Sequence, residues 1–577
     1  MRPRPHYQWR VAPEQPVLAQ HLSKQIGISQ LLAQCLLNRG FSEPETILRF
    51  LEPRLKNLAD PFLLPEMTAA VARLFAARES AESLVIFGDY DVDGVSSTAL
   101  LTESLNALGW KASYYLPHRM EEGYGLSQAG VENCLRQYSA TLVLAVDCGS
   151  TAVEPIAHLK SRKVDVIVLD HHQVCDPPPG TVALVNPQRA KHGEPSFREL
   201  CSAGLAFKLL HALVKRGREL GLAEFLQFDV RPFLDLVALG TIADVVPLAG
   251  ENRILVTRGL ECLNRTARPG LIALREVARI SGPIGSYEVG FQLAPRLNAA
   301  GRLENALDAL HLLLARNAAE AKPLAEKLDA QNRERQEIEK SIVAEVTEML
   351  RQSFDAARHF VVVHGNPSWH IGVVGIVASR VLHEFYRPTI IFGGDGEQWR
   401  GSGRSIDGFD LAGALRQCGE LLLKHGGHAM AAGVSILPEK LEAFRERLNE
   451  IAARELGREK LQPALRLDAE ITLAHLSVQR VRELEKLQHT GVGNPPVQLC
   501  LRGLAHHRPL ERFGSEKQHV RMLVTHNGEV SEAILWNEGN GDLPVGEFDL
   551  ACAPQLNHYE GSTYVRLKVL DWRASAA

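Results

Sequence analysis

The sequence lacks the features that mark secreted proteins, membrane proteins and small metal-binding modules. Its nine cysteines contain no CxxC pair and no spacing typical of a metal site, and such sparse, odd-numbered use is typical of a reducing cytoplasm. No run of about 18 apolar residues occurs, so we expect no membrane span. No apolar segment follows the charged N-terminus MRPRPHYQWR, so we expect no secretory signal peptide.

A strong charge of either sign is missing as well. The formal net charge is −4, which excludes a protein-wide basic field, so any site for an anion has to be local. Hydrophobic residues at 45% and charged residues at 23% are ordinary for a soluble globular protein. The length of 577 residues exceeds what one hydrophobic core usually serves, and we expect three or four domains.

The first half of the chain predicts a helical region followed by a parallel sheet. Residues 1 to about 80 predict short helices broken by prolines. From residue 84, apolar runs alternate with amphipathic stretches, which predicts a parallel sheet covered by helices on both faces. The strand-like runs are LVIFGD (84–89), KASYYLP (111–117), TLVLAVD (141–147), VDVIVLD (164–170) and TVALVN (181–186).

The second half predicts two more folded regions after a helical connection. Residues 303–350 predict two helices, of which the second is expected to begin near Pro323 and, being mostly polar, to form a solvated bridge. A second α/β region follows, with strands near HFVVVH, PTIIF and AGVSIL. From about residue 465, short β-like runs predict a small antiparallel barrel or sandwich.

The segment VIFGDYDVDG raises the question of function. It places the carboxylates of Asp89, Asp91 and Asp93 at every second position, directly after an apolar strand. Two later strands also end in an acid, Asp147 and Asp170, and ligands bind at the carboxyl ends of strands in open parallel sheets. Because like charges this close repel one another, we expect positive ions between them.

Imidazoles and a further acid extend this set. His171 and His172 directly follow Asp170, and Asp244 lies in TIADVVP. A mixture of carboxylate and imidazole suits Mn²⁺ or a similar ion, whereas carboxylates alone suit Mg²⁺. Several acids at one site indicate two ions, typically about 3.5–4 Å apart, that activate a water for displacement at phosphorus.

Each motif taken alone has a simpler interpretation. DxDxDG could form a calcium loop, but the twelfth position from Asp89, where an EF-hand requires glutamate, is Leu100. The DHH triplet could be a turn with a satisfied histidine, Asp147 a turn residue at a strand end, and Asp244 a helix cap. The joint occurrence of these motifs favours the metal site.

Together the motifs resemble the DHH phosphoesterase superfamily and, within it, the bacterial RecJ family of single-strand-specific exonucleases. Two positions depart from the common pattern, since Cys148 stands where many relatives carry Asn and Ala294 where Gly is common. The motifs that carry the resemblance are FGDYDVDGVSST (87–98), PHRMEEGYGLS (117–127), AVDCGS (145–150), LDHHQ (169–173), LVALGTIADVVPL (236–248), APRLNAAGRL (294–303), WHIGVVGIVASR (369–380), GSGRS (401–405) and GGHAMAAG (426–433).

The resemblance implies an α/β fold, in which a parallel-sheet DHH domain and a DHHA1 domain are joined by a long helix and followed by a C-terminal all-β, OB-like barrel. The implied regions are an N-terminal helical extension (1–80), the DHH catalytic domain (81–303), linking helices (304–350), the DHHA1 domain (351–455) and an OB-fold nucleic-acid-binding domain (465–575).

The resemblance also implies an activity, which is 5′-to-3′ hydrolysis of single-stranded DNA to 5′-mononucleotides with two Mn²⁺ or Mg²⁺ ions, in DNA repair and recombination. The implied partners are single-stranded DNA with a 5′ end, a single-strand-binding protein and a helicase, with no membrane. The expected state is a cytoplasmic monomer.

Carried onto this chain, the resemblance implies a set of metal ligands and a set of catalytic residues. The implied catalytic residues are Asp91, Asp93, Asp147 and His172, of which His172 contacts the scissile phosphate. The implied metal ligands are Asp89, Asp91, Asp93, Asp147, His171 and Asp244.

The implied substrate-binding residues come from the arginine- and glycine-containing motifs. Small residues let backbone N–H groups approach a phosphate, and a guanidinium can bind one through two hydrogen bonds. Taken singly, GGHAMAAG would indicate tight packing, and each arginine in a predicted Pro- or Gly-flanked loop a surface ion pair. The resemblance implies a 5′-phosphate held by Arg119, Ser402 and Arg404, a cleaved group near Arg302 and His428, and further DNA contacts from Arg296, His370 and Gly427.

Two other functions remain open at this point. A DHH-type nanoRNase or cyclic-dinucleotide phosphodiesterase would share DHH and GGHxxAAG, but such chains are usually shorter and lack the C-terminal β domain. A non-catalytic DNA-binding scaffold of the same fold would have lost metal ligands, whereas every acid and the DHH triplet are intact in this sequence.

Overall fold

A computed structural model describes residues 7–119, 121–123, 125–190, 197–394, 396–539 and 541–575. They form two compact units. The parallel-sheet unit comprises residues 45–333 and 487–495, and the mixed-sheet unit comprises the described residues up to 44, 334–486 and those from 496 onward. Within the described ranges, no helix combines the length and the apolar character that a membrane span requires.

Most of the helices lie between strands in the part of the chain up to residue 455, and the strands after it are mostly consecutive. They are β1 (Gln8–Val11), β2 (Ser83–Phe87), β3 (Lys111–Tyr115), β4 (Leu142–Val146), β5 (Asp165–Leu169), β6 (Ala183–Val185), β7 (Val362–Gly365), β8 (Thr389–Gly393), β9 (Trp399–Arg404), β10 (Lys424–Gly427), β11 (Ala431–Ile436), β12 (Ala464–Leu467), β13 (Ala469–Ile471), β14 (Leu499–His506), β15 (Glu511–Phe513), β16 (His519–His526), β17 (Glu529–Leu535), β18 (Phe548–Tyr559) and β19 (Ser562–Ala574).

The α-helices vary from single turns to one helix of 36 residues. They are α1 (Pro16–Ile26), α2 (Gln30–Asn38), α3 (Pro44–Leu51), α4 (Met67–Glu79), α5 (Val92–Ala107), α6 (Gln128–Gln137), α7 (Val153–Ser161), α8 (Ser202–Glu219), α9 (Ala223–Leu226), α10 (Leu234–Ala243), α11 (Gly250–Leu263), α12 (Pro269–Val277), α13 (Ser286–Glu288), α14 (Ala294–Leu303), α15 (Leu307–Leu314), α16 (Ala318–Ser353), α17 (Val374–Phe385), α18 (Leu411–Arg416), α19 (Leu441–Glu455) and α20 (Val478–Leu484).

The parallel-sheet unit is built on five strands in the order β3-β2-β4-β5-β6, and every neighbouring pair is parallel. The strands are apolar and buried, and one hydrophobic cluster covers each face of the sheet, which confirms the predicted parallel sheet. The chain runs from β2 outward to β3 and then returns to the other side of β2 as β4. This reversal of strand order is the point at which open α/β sheets bind ligands.

The mixed-sheet unit contains a five-stranded sheet and a closed barrel. The sheet has the order β10-β11-β9-β8-β7, with β7 and β8 parallel and the other pairs antiparallel. In the C-terminal part, β14 pairs with both β18 and β16, which closes the ring β14-β18-β19-β17-β16. Two α/β regions and a β barrel confirm the predicted fold class.

The N-terminal region differs from the helical extension predicted for residues 1–80. Residues 8–11 form β1, which pairs in parallel with β12 from Gln8↔Ala464 to Val11↔Leu467. The described residues up to 44 therefore belong to the mixed-sheet unit, whereas residues from 45 onward belong to the parallel-sheet unit. The strand was missed because four residues of alternating burial carry too short a periodic signal.

The predicted start of the long connecting helix at Pro323 is wrong, because α16 begins at Ala318 and contains Pro323. A proline so near a helix start forfeits little backbone hydrogen bonding. The expectation of a purely solvated helix is also wrong, since Ala325, Leu328 and Val346 are fully buried. The hydrophobic positions are widely spaced along a charged sequence, which obscured this buried stripe.

Candidate active site

The loop after β2 carries two of the predicted metal ligands into the switch point of the sheet. Asp91 caps α5, because its Oδ1 accepts the backbone N–H of Asp93 at 3.0 Å and of Gly94 at 3.1 Å. Asp89 is 2% exposed, and its Oδ1 receives no hydrogen bond from the described residues. Asp89 therefore places an unsatisfied carboxylate oxygen at the carboxyl end of β2.

Asp147 brings a third carboxylate from the neighbouring strand β4. Its backbone adopts φ = 64°, a left-handed conformation that turns the chain sharply after the strand. Its Oδ1 accepts a hydrogen bond from the Ser202 hydroxyl at 2.8 Å. Ligand oxygens of Asp89, Asp91 and Asp147 all lie within 4.8 Å of one another, a spacing that suits a shared cation.

The two histidines after β5 occupy different protonation states. The carboxylate of Asp170 accepts the Ser150 N–H at 3.0 Å and contacts His172 Nδ1 at 2.7 Å. Although burial opposes the charged imidazole, this contact raises the pKa of His172 to about 9. Burial, followed by the positive charge of His172, lowers the pKa of His171 to about 4. At neutral pH, His172 is thus cationic and His171 is neutral.

The neutral His171 lies between two carboxylates. Its Nε2 is 3.5 Å from Asp147 Oδ1 and 3.5 Å from Asp244 Oδ2. Asp244 comes from the carboxyl end of α10, where it is the C-cap residue. A neutral imidazole nitrogen and two carboxylate oxygens that face one space form a mixed donor set of the kind that binds Mn²⁺.

Asp93 has a different environment from the other acids. Its two oxygens accept the backbone N–H groups of Ser202 at 2.7 Å and Ala203 at 2.8 Å, at the start of α8. It also shares a cluster with Cys201 and Asp244, whose ligand atoms lie within 4.8 Å of one another. Both of its oxygens thus accept hydrogen bonds from the N-terminus of α8, which fixes the position of this carboxylate.

The electrostatics of this cluster require compensation. Burial, together with repulsion from neighbouring carboxylates, raises the pKa of Asp89, Asp147 and Asp244. Asp89 Oδ1, His171 Nε2 and Asp244 Oδ2 are buried and lack a hydrogen-bond partner among the described residues. Buried polar atoms normally find partners, and these oxygen and nitrogen donors fit a pair of divalent cations.

Residues that the sequence interpretation missed hold these ligands in place. Ser202 orients Asp147, and Cys201 lies beside Asp93 and Asp244. Asn298 of α14 accepts the backbone N–H of Val92 at 3.2 Å. Cys201 and Ser202 lie in the segment LCSAG at the start of a helix, and this segment was the only sequence feature that could have indicated them. Asn298 lies within the motif APRLNAAGRL.

The predicted substrate arginines of the parallel-sheet unit have unequal surroundings. Arg119 lies over the ring of Tyr90, 5.0 Å from its centroid, and so beside the loop that carries Asp89. Arg296 and Arg302 were expected in loops, but both lie in α14. Arg296 is bound by Asp329 Oδ1 at 2.9 Å and by the Gln292 carbonyl at 2.6 Å, so its guanidinium is largely committed to other protein groups.

The other predicted substrate residues lie in the mixed-sheet unit. Ser402 and Arg404 point from β9, and an Arg404 guanidinium nitrogen donates to Ser402 Oγ at 3.0 Å. A Cβ on Gly375 of α17 would lie 2.9 Å from Ser402 Oγ, so only glycine allows this helix start to approach. The structure thus brings Ser402 and Arg404 together beside a helix N-terminus, a favourable environment for a phosphate.

His370, Gly427 and His428 lie near this part of the mixed sheet. His370 precedes α17, and its carbonyl accepts the N–H groups of Val373 and Val374. Gly427 and His428 lie at the β10–β11 turn, where Gly427 has φ = 135° and both residues are exposed. Of the predicted motif PHRMEEGYGLS, positions 120 and 124 lie outside the described residues.

Comparison with known proteins accounts for all three folded regions. The chain matches the DHH family, N-terminal domain, over residues 83–241, the DHHA1 domain over residues 358–454, and the RecJ OB domain over residues 467–571. It is 35% identical to the single-stranded-DNA-specific exonuclease RecJ of Bacillus subtilis, over 98% of this chain and 70% of that protein. The chain belongs to the RecJ family. The protein of the same name from Escherichia coli is also 35% identical, over 93% of this chain and 94% of the relative.

Solved structures extend the RecJ comparison to the metal ions. The crystal structure of RecJ from Thermus thermophilus in complex with Mn²⁺ has a TM-score of 0.84 and 32% identity, and the match covers 99% of this chain and 80% of that chain. The structure of the same protein in complex with Mg²⁺ has a TM-score of 0.78 and 30% identity, with 99% and 79% covered. The RecJ fold therefore occurs with both ions that the ligand set predicts.

Proposed function

We propose that this chain is an exonuclease that hydrolyses single-stranded DNA from its 5′ end to 5′-mononucleotides, and that it acts in DNA repair and recombination. Membership of the RecJ family and similarity to RecJ structures containing Mn²⁺ or Mg²⁺ support this function. The observation that carries the proposal is a group of buried atoms near the switch point of a parallel sheet that lack a hydrogen-bond partner among the described residues, namely Asp89 Oδ1, His171 Nε2 and Asp244 Oδ2.

The proposed metal ligands are five groups whose donor atoms lie close together. Asp89 and Asp91 follow β2 and lie close to Asp147, and His171 Nε2 lies 3.5 Å from a carboxylate oxygen of Asp147 and of Asp244. Asp93 is proposed to anchor the start of α8. Divalent ions bound to these residues supply a water of lowered pKa and offset the negative charge that develops on phosphoryl oxygens.

His172 is proposed to contact the scissile phosphate. Asp170 holds the imidazole through Nδ1 and keeps it cationic, and a cationic imidazole is a charge-assisted donor suited to a phosphate oxygen. The ordered pair of Asp170 and His172 is therefore present before substrate binds. Such preorganised donors stabilise charge in the transition state without rearranging during the reaction.

The bond changes of the proposed reaction follow from its products. A water oxygen forms a bond to the phosphorus between the first and second nucleotides, and the bond from phosphorus to the 3′ oxygen of the first nucleotide breaks. The 3′ oxygen takes up a proton, and the phosphate stays on the 5′ carbon of the second nucleotide. The shortened strand again carries a 5′-phosphate, so the same contacts can bind it in the next cycle.

Binding of the DNA backbone is proposed to use cationic and small residues of both units. In the parallel-sheet unit these are Arg119 and Arg302, with Arg296 restricted by its ion pair. In the mixed-sheet unit Ser402 and Arg404 are proposed to hold the 5′-phosphate, with His370, Gly427 and His428 in further contacts. The region that matches the RecJ OB domain is proposed to bind single-stranded nucleic acid.

The cellular setting is part of the same proposal. All nine cysteines are free thiols, which supports a reducing compartment such as the cytoplasm. An enzyme that requires single strands depends on a reaction that unwinds duplex DNA, so a helicase and a single-strand-binding protein are the proposed partners. The proposed oligomeric state is a monomer, which size-exclusion chromatography with light scattering can test.

An end-labelled DNA assay tests the proposed activity directly. Single strands that carry a label at the 5′ or the 3′ end, their duplex counterparts and a dinucleotide are incubated with Mn²⁺, Mg²⁺ or a chelator. The proposal expects immediate release of a 5′-labelled mononucleotide from single strands, only with metal. Preferred cleavage of the dinucleotide would favour a nanoRNase, and metal-independent binding without cleavage would favour a scaffold.

A further inference from the structure

Residues 487–495 belong to the parallel-sheet unit although their sequence neighbours on both sides belong to the mixed-sheet unit. In the chain they connect α20 to the segment that leads into β14. A connection of nine residues could have been an exposed linker, yet Leu487 is 1% exposed and Asn494 is fully buried. This return, which we call the 487–495 segment, is therefore anchored in the parallel-sheet unit by two buried residues, while most of its other residues are exposed or half-buried.

The 487–495 segment packs directly against the turn that follows Asp244. The backbone N–H of Leu248 donates to the carbonyl of Val492 at 2.7 Å. Two glycines make this approach feasible, because a Cβ on Gly491 would lie 2.8 Å from Leu248 Cδ1 and a Cβ on Gly493 would lie 2.9 Å from Pro247 Cβ. At Gly493 the neighbour is the rigid proline ring, so a larger residue there would displace the turn, whereas at Gly491 the Leu248 side chain would have to shift.

Asn494 gives the 487–495 segment its shape. Its side-chain amide donates to the carbonyl of Leu487 at 2.7 Å and to that of His489 at 2.9 Å. Its backbone exchanges hydrogen bonds with Gly491 at 2.9 Å and 3.2 Å. The segment is also tied to a neighbouring helix, since the Ser286 hydroxyl donates to the Thr490 carbonyl at 2.8 Å.

The turn after Asp244 needs external support. Val245 adopts φ = 64°, a left-handed conformation that is rare for a β-branched residue, and its side chain is 65% exposed. Such a conformation persists only where the surroundings enforce it. The side chain of Asn252 holds the turn at the Pro247 carbonyl, at 3.0 Å, and the 487–495 segment holds it at Leu248.

We propose that the 487–495 segment is a positioning element for the metal site, and that Asn494 and Gly493 act by fixing the turn that aims the Asp244 carboxylate. The inference rests on the proposed function, because it takes Asp244 as a metal ligand. It adds positioning residues to the metal site. These residues lie far from the metal ligands in sequence, in the connection to the C-terminal barrel. Disturbance of this segment therefore weakens binding of the ion that Asp244 contacts.

Calorimetric titration of the full-length protein with Mn²⁺ tests this role with a readout that does not depend on activity. Asn494→Ala and Gly493→Ala are each expected to weaken Mn²⁺ binding about tenfold, as is usual when a group that holds a metal ligand in place is removed. If Asn494→Ala does not yield folded protein, Gly493→Ala decides the question. Asp244→Asn measures the contribution of the ligand itself.

Two matched controls separate positioning from general destabilisation. Asn264 also bridges two backbone carbonyls, those of Leu260 and Ile284, at 2.8 Å each, so Asn264→Ala removes equivalent bonds elsewhere in the same unit. Gly221 has φ = 72° with nothing within 4 Å of a Cβ, whereas Gly493 has φ = 71°, so Gly221→Ala reproduces the backbone strain alone. Both controls should retain wild-type Mn²⁺ affinity.

The outcomes of this experiment are distinguishable. The proposal is overturned if Gly493→Ala and any folded Asn494→Ala protein bind Mn²⁺ as the wild type does while Asp244→Asn binds it weakly. Equal weakening in the two control variants would also overturn it. Unchanged Mn²⁺ binding in Asp244→Asn would instead contradict the proposed metal site.

Discussion

The acidic site of the parallel sheet and the basic site of the mixed sheet are prepared for their ligands in opposite ways. At the acidic site, Asp89 Oδ1 and Asp244 Oδ2 are buried without a hydrogen-bond partner among the described residues. At the basic site, Arg404 already donates to Ser402 Oγ at 3.0 Å and to the Gly403 carbonyl at 2.8 Å. The first site is incomplete without cations, whereas the second is held together by its own hydrogen bonds.

Because the two sites differ in this way, substitutions in them should impair different steps. Loss of an acid should weaken binding of the ions and thereby remove activity, because each ion depends on several of these carboxylates. Loss of the Arg404 guanidinium should weaken binding of DNA but leave metal binding unchanged. Substitutions in each site test this contrast, and the largest effect is expected at the acidic site.

Asp147→Asn should abolish most nuclease activity. Removal of a group that only supports a metal ligand lowers metal affinity or activity about 10–100-fold. Loss of the ligand itself should therefore lower nuclease activity by more than about a hundredfold. Asparagine tolerates the φ of 64° at this position, so the backbone should be retained. The control is Asp235→Asn, which alters a buried carboxylate at the opposite end of α10 from Asp244. Comparable activity loss in both variants would contradict the assignment.

The two histidines of the DHH triplet should separate into a ligand and a phosphate donor. His171→Gln should weaken Mn²⁺ binding, because Nε2 of His171 lies between Asp147 and Asp244. His172→Gln should lower kcat about a hundredfold, as for other preorganised donors, with Mn²⁺ affinity nearly unchanged. Calorimetry and single-turnover assays of both variants measure this split, and equal losses of Mn²⁺ affinity would argue against it.

Arg404→Lys should raise KM for single-stranded DNA about tenfold and change kcat little, because lysine cannot reproduce the two-point contact of a guanidinium. Mn²⁺ binding should match that of the wild type, since the guanidinium contacts no acid of the metal cluster in its hydrogen bonds. Arg447→Lys, an exposed position on α19 of the same unit, is the matched control. A large fall in kcat for Arg404→Lys would place it in the chemistry instead.

The stabilisation of the protein by Mn²⁺ should grow as pH rises from about 5 to about 8. Burial and carboxylate repulsion raise the pKa of Asp89 and Asp244 in the folded, metal-free protein. The folded state then binds more protons than the unfolded state, so the stability of the chelated protein falls as pH rises through this window. Bound Mn²⁺ takes the place of the protons on these carboxyl groups, so the stabilisation by Mn²⁺ grows as the carboxyl groups lose their protons. Differential scanning fluorimetry with Mn²⁺ or chelator measures the gap in Tm, and a gap that shrinks with pH would contradict the raised pKa values.

The strand-end acids could be predicted from sequence because both their strands and their positions have a local signal. LVIFGD and TLVLAVD each combine a buried run with a terminal acid, and parallel strands end at one edge of the sheet. The structure brings Asp89, Asp147 and His171 together there. Their role as ligands stays a proposal, whereas the fold class and the family are established.

The supporting residues could not be predicted because their contacts are long-range. Ser202 donates to Asp147 across 55 positions of sequence, and the Val492 carbonyl reaches Leu248 from a different part of the chain. The partner of Arg296 could not be named for a related reason, since Asp329 lies on another helix. Such contacts depend on how helices pack around the sheet, which local periodicity does not specify. The predicted domain boundaries likewise stay a prediction.

Calorimetric titration of the chelator-treated wild type and of Asp147→Asn with Mn²⁺ tests the central claim most directly. We expect two bound ions per wild-type chain, because the donor atoms extend from Asp89 and Asp91 through Asp147 to His171 and Asp244. We expect Asp147→Asn to bind at least one ion fewer, because the wild-type Asp147 carboxylate lies close both to Asp89 and Asp91 and to His171. A wild type that binds no Mn²⁺, or a variant that binds it with unchanged stoichiometry and affinity, would contradict the account.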